Sequence, residues 1–420
     1  MISRERLHAA INHEPTDRVC VEFGASGVTG MAASAVHRLR QALIPDPEYK
    51  VKIIEPYQML GEIDEELRQA LGIDVVGVNS PRNMFGFPNL GWKPFTMPDG
   101  LEVLVPEGFN VTRDERGSTF MYPEGDTSIP PCAKMPRAGY FFDALDRQPP
   151  LSESELDPQD NCEEFQPLSG EDLSYFRQEA KRLYETTTCG LFLSLGGLGF
   201  GDIALVPALW LKHPKGIRDI EEWYVSLALR KDYIKHVFEQ QCEIGLQTIA
   251  CLAESIGEYI DVAFVTGTDF GMQSGLLASV DSYRELFKPF HIRINEKIHS
   301  LTDWKIFIHS CGSVYELLPE FIEAGFDIFN PVQCSAKNME PRRLKKEFGK
   351  DLVFWGGGVD TQNTLPFGTP DEVYREVRER IDIFAQDSGF VLNSIHNIQA
   401  NVPTDNILAM FRAIQDSSNR

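Results

Sequence analysis

His309 and Cys311 stand two residues apart in Phe307-Ile308-His309-Ser310-Cys311-Gly312, where an apolar run meets a glycine turn. In an extended chain, side chains i and i+2 share a face, so an imidazole and a thiol can converge on one point. A second imidazole, His396, ends a similar run at Ser394-Ile395-His396-Asn397 and completes a His-x-Cys-x84-His pattern. Three protein donors with a fourth position open make the pattern of a catalytic zinc site. A lone cysteine usually behaves as a small buried hydrophobe. Packing, however, has no use for this particular pair at a strand end. The pattern predicts a metal-dependent enzyme with His309, Cys311 and His396 as ligands.

The composition narrows the function classes. A chain of 420 residues with 42% hydrophobic and 24% charged residues can bury a large core. Its net charge of -22, from 62 acidic against 40 basic residues, opposes nucleic acid and anionic membranes as partners. The opening Met1-Ile2-Ser3-Arg4-Glu5-Arg6 leads into a charged helix and has no signal-peptide h-region. No apolar run approaches the ~18 residues that a membrane span needs. The eight cysteines are scattered, without a C-x-x-C pair. Reduced thiols and a cytoplasmic location are expected, and a thiol beside two imidazoles then suggests metal, not disulfide.

The elements that must position these donors alternate. Apolar runs at 190–195, 261–265, 305–308, 326–329, 352–355 and 389–395 are separated by helical patterns at 217–257, 279–301 and 370–387. The run at 190–195 closes in Gly196-Gly197. Two earlier runs, 18–23 and 74–78, bring the strand count to eight, which predicts a single (β/α)8 TIM barrel over 1–420 with an N-terminal extension. Residues 95–165 are dense in Pro, Gly and Asp and read as a β-rich insertion near the barrel mouth. There Tyr122, Phe141 and Phe142 either wall an aromatic pocket or form the meander's own small core. Barrel active sites lie at the C-terminal strand ends. Asp269 follows the fourth strand, His309 and Cys311 the fifth, Asn330 and Gln333 the sixth, Asp360 the seventh and His396 the eighth. Strands five and eight are expected to face each other across a mouth roughly 10–15 Å wide. Asp269 and Asp360 equally suit plain helix capping.

These residues carry a family resemblance. Thr268-Asp269-Phe270-Gly271-Met272-Gln273, His309-Ser310-Cys311-Gly312-Ser313, Asn330-Pro331-Val332-Gln333, Trp355-Gly356-Gly357-Gly358-Val359-Asp360 and His396-Asn397-Ile398-Gln399-Ala400-Asn401 fall in order on successive strands. So placed, the chain resembles the uroporphyrinogen decarboxylase superfamily, in particular its corrinoid-dependent methyltransferase branch. That resemblance implies the barrel, a zinc held by the His-x-Cys pair and a third ligand, and a homodimer. Members that methylate a thiol coenzyme carry Cys where His396 stands. Two imidazoles and one thiolate leave zinc about one charge unit more positive, which favours an oxygen or nitrogen ligand over sulfur. Tetrapyrrole decarboxylases carry an Arg-rich R-x-x-G-R segment early in the chain, and here Phe23-Gly24-Ala25-Ser26-Gly27-Val28-Thr29-Gly30 has no arginine.

The implied activity is methyl transfer between a small molecule, with an O-methyl or N-methyl donor favoured, and a corrinoid (cobalamin). The chain lacks a D-x-H-x-x-G corrinoid-binding signature, so a separate corrinoid protein must supply it. In the demethylase direction Asp269 orients the substrate or gives the leaving-group proton. Gln333 joins it as a catalytic candidate, with Asn330, Gln399 and Asp360 around the cofactor. The alternative is a lyase of the same superfamily acting on a small carboxylic acid.

Overall fold

Six of the apolar runs lack the polar alternation of a half-exposed strand because both faces of their sheet are covered. A computed structural model describes residues 1–195 and 198–417, so the expected Gly196-Gly197 turn lies outside the described residues. Eight parallel strands form one sheet: β1 (Cys20–Val21), β2 (Val75–Val78), β3 (Gly190–Ser194), β4 (Val262–Thr266), β5 (Lys305–His309), β6 (Ile328–Asn330), β7 (Val353–Trp355) and β8 (Phe390–Leu392). They are ordered β1-β8-β7-β6-β5-β4-β3-β2. The ring closes where Asp74 N donates to Val21 O at 2.8 Å and Val21 N donates to Asp74 Oδ2 at 3.0 Å. The expected barrel is present, with all eight strands in their expected places.

Its interior is filled by alternate strand residues, among them Cys20, Val75, Phe192, Val262, Phe307, Val353, Trp355 and Val391. The rings of Phe192 and Phe307 meet edge to face at 5.0 Å. The N-terminal extension has a specific duty. Helix Ser3–Ile11 packs Leu7, Ala10 and Ile11 onto this interior cluster and plugs the floor of the barrel.

Three sequence readings need adjusting. β5 and β8 do not face each other, since only β6 and β7 separate them in the ring. The expected helix at 217–257 is two, Ile220–Leu229 and Lys231–Ile256, broken at Arg230. The β-rich part also begins earlier than 95. Antiparallel strands run from Lys93–Thr96 through Asp143–Ala144, and a further hairpin, Ile53–Glu55 with Leu60–Gly61, precedes β2. Within the insertion, fully buried Phe142 packs on Phe85 and Phe109, and Tyr122 shares a hydrogen bond with Thr112, so these rings form the meander's own core.

Asp74 binds the seam from below. Its carboxylate takes Arg6 Nη1 and Arg18 Nη2 at 2.7 Å each and is fully buried. Removing it leaves the nearly buried Arg6 guanidinium with Asp17 as its remaining carboxylate and frees the Val21 amide. Asp74→Ala should therefore lower stability by about 3–5 kcal/mol in urea denaturation. A loss under about 1 kcal/mol would show that the seam does not depend on this ion pair.

Candidate metal centre

β5 ends on His309, and the chain then turns. Cys311 is therefore brought beside His309 by the turn that follows the strand, not by strand pleat alone. The turn needs glycine at its pivot. Gly312 has φ +88°, and a Cβ there would lie 2.4 Å from the Gly271 carbonyl carbon. Gly271 is equally confined, since its Cβ would meet Cys311 O at 2.8 Å. The close approach locks the loop after β4 onto the loop after β5.

The three expected ligands converge. One donor atom from each of His309, Cys311 and His396 lies within 4.8 Å of the others. Cys311 Sγ is 3.3 Å from His309 Nε2. The opposite edge of the His309 ring faces Asn330 Oδ1 at 2.5 Å, and Asn330 Nδ2 donates to Trp355 O at 2.7 Å. Because the amide of Asn330 is thereby oriented, Nδ1 of His309 carries the proton and Nε2 offers its lone pair. This arrangement of ligand and supporting partner is common at metal sites. His396 is less settled. Its Nδ1 accepts from Asn397 N at 2.8 Å, so coordination requires that contact to open or the ring to turn.

Electrostatics favour a cation here. Burial lowers both His309 and His396 to about 4, so both imidazoles are neutral donors at pH 7. Burial and the nearby Asp269 carboxylate push the Cys311 thiol well above its usual value. Among the described residues no group rewards ionising that thiol, whereas a divalent ion would. The donor set fits a borderline-soft divalent ion.

Asp269 Oδ1 accepts from Cys311 N at 2.7 Å and lies 3.9 Å from His309 Nε2. Gln333 Oε1 accepts from Gly312 N at 2.7 Å. Both brace the ligand turn. Gln399 Oε1 is buried without a partner among the described residues. Asp360 accepts from Gln362 N at 2.8 Å and Asn363 Nδ2 at 2.9 Å within its own loop.

One carboxyl group escaped the sequence reading. Asp202, beyond β3, lies close enough to Asp269 and Cys311 to influence the ionisation of Cys311 and be influenced by Asp269. Burial raises it to about 7. Its signal was positional, an acid in a Gly-rich turn at a barrel strand end, as Asp269 is after β4.

Ion uptake has a pH signature. With both imidazoles already neutral, only the thiol proton must leave. Zinc titration at pH 7 should therefore release about one proton per ion, and affinity should rise about tenfold per pH unit between pH 5 and 8. A pH-indicator assay reads the release, and Cys311→Ser should abolish it. Asn330→Leu should weaken zinc binding about 10–100-fold in a competition assay with a chromogenic chelator, because His309 loses its fixed tautomer.

The methylated-thiol–coenzyme M methyltransferase of Methanosarcina mazei is 27% identical over 144 residues, 34% of this chain and 35% of that protein. The matched segment thus spans about a third of the relative's length. A solved structure of a methyltransferase from Methanosarcina mazei shares the fold, with TM-score 0.55 and 14% identity over 99% of both chains. The uroporphyrinogen decarboxylase (URO-D) family model matches residues 234–417. That stretch carries all three converging donors.

Proposed function

We propose that this protein is a zinc-dependent methyltransferase that moves a methyl group between a small molecule and a corrinoid carried on a separate protein. The observation that carries the reading is the convergence of His309, Cys311 and His396 at the C-terminal strand ends, in a chain a third of which is similar to a methyltransferase. Zinc, when bound, supplies a Lewis acid that draws charge from the heteroatom bearing the methyl group. His309 holds its ligand nitrogen ready through Asn330. Asp269 and Gln333 keep the Cys311 turn in place and line the approach. Gln399, with its unpaired Oε1, and Asp360, on the loop after β7, are assigned to the side facing the corrinoid. With one thiolate in place of two, the site favours an O-methyl or N-methyl donor, which makes the enzyme a demethylase. A homodimer completes the reading.

Decarboxylation of a small acid is the weaker alternative. It needs cationic clamps for carboxylates, yet Asp202 and Asp269 stand beside the metal ligands. Arg218 is taken up by Glu164 at 2.7 Å.

Protein purified without a histidine tag should carry about one zinc per chain. The double variant His309→Ala/Cys311→Ser should carry none while keeping its circular dichroism spectrum. Mixed with reduced cobalamin and a panel of methyl ethers and methylamines, the zinc form should generate methylcobalamin absorbance with at least one donor, and the double variant with none. Well-folded protein without zinc would sink the proposal.

A further inference from the structure

A cleft of about 450 Å³ opens to one side of the metal ligands, none of which lines it. It lies between helices Gly170–Thr186 and Lys231–Ile256, beside residues 198–210. Phe165, Phe176, Leu205, Val206, Trp210 and Phe238 give it apolar, largely aromatic walls. Its size and lining are those of a small-molecule site. At its inner wall stands Asp202, whose carboxyl accepts one hydrogen bond, from Ala204 N to Oδ1 at 2.9 Å. Oδ2 has no donor among the described residues. A Cβ at Gly267 would lie 2.8 Å from it, so the missing side chain leaves Asp202 next to the strand end that carries Asp269.

A second polar group at this level is unpaired. Trp223 Nε1 is buried without an acceptor among the described residues and packs against Gly201, the residue before Asp202. Other polar groups of the wall are committed, Arg218 to Glu163 and Glu164, and Asn161 to Ile217 N at 2.7 Å. The cleft therefore combines an aromatic cage with one carboxyl that has a free oxygen, and that carboxyl is the link to the metal ligands.

Resting on the methyl-transfer reading, we infer that this cleft holds the ring of an uncharged aromatic methyl ether and that Asp202 gives the departing oxygen its proton. The methyl carbon–oxygen bond breaks with its electron pair left on oxygen. The proton moves from Asp202 to that oxygen, which yields the phenol. The methyl passes to a reduced corrinoid, which supplies the electron pair of the new bond. Asp202 suits this role because burial, and then the Asp269 charge, keep it about half protonated near pH 7. The groups that face it are Asp269, Tyr224 and Cys311, none of them cationic.

Metal-free protein tests the cleft without any turnover. Methoxybenzene should quench the fluorescence of Trp210 and Trp223 and bind more tightly than methoxycyclohexane. Val206→Trp and, at a half-exposed helix position, Thr248→Trp should fill the cleft and weaken binding about tenfold or more at unchanged melting temperature. Equal binding to wild type and to either folded variant would remove the cleft from the reaction. Tighter binding of phenyltrimethylammonium than of methoxybenzene would overturn the neutral-ether class. In zinc-loaded protein, Asp202→Asn should slow transfer from methoxybenzene about a hundredfold but barely affect a nitro-substituted ether, whose phenolate leaves unaided. An equal loss on both donors overturns the proton role. No transfer from any donor in the wild type would sink methyl transfer itself and the proton role with it, while the ring titration still decides the cleft.

Discussion

The hydrogen bond between His309 Nδ1 and Asn330 Oδ1 ties the barrel to its chemistry. It joins neighbouring strand ends, since β5 and β6 pair His309 with Asn330 in register. Asn330 is in turn held by the last carbonyl of β7. Three consecutive strands thus dictate which nitrogen of His309 keeps its proton. Backbone register, the most rigid property of a parallel sheet, decides which face of an imidazole is a donor. A slip of one residue would turn His309 out of the site.

The acids around the mouth extend this logic. Asp269 and Gln333 both accept from backbone amides of the Cys311 turn, so their acceptor capacity goes into geometry before it meets a ligand. Asp202 differs. Among the described residues only one of its oxygens is used, and it sits where the barrel meets the aromatic space between two outer helices. The mouth therefore has a side dominated by bracing and a side left open to molecules from outside.

Strand existence was legible because strands buried on both faces read as uninterrupted apolar runs, as in Gly190–Ser194 and Val262–Thr266. The ligand set was legible because His-x-Cys is rare at a strand end and the third imidazole closes a similar run. Distances across the mouth were not, since they depend on ring order: β8 turned out to be three strands from β5, not opposite it. Nor was Asp202, whose pKa is raised by burial, a product of the fold and not of the local sequence. The hairpin at Ile53–Glu55 escaped for a related reason. It is too short to show a period, and its Leu60, which pairs with Glu55, also bridges to the distant Ala32.

His396 is tied down by residues that precede it by more than three hundred positions. Asn397, next to it, accepts from Gly30 N and donates to Gly27 O and Gln58 Oε1. A growing chain that has made His309 and Cys311 holds only a two-point site, and the third point cannot be seated until the last strand has closed against the first. Tight capture of an ion is thereby coupled to closure of the ring, and a broken or half-made barrel would release the metal instead of hoarding it.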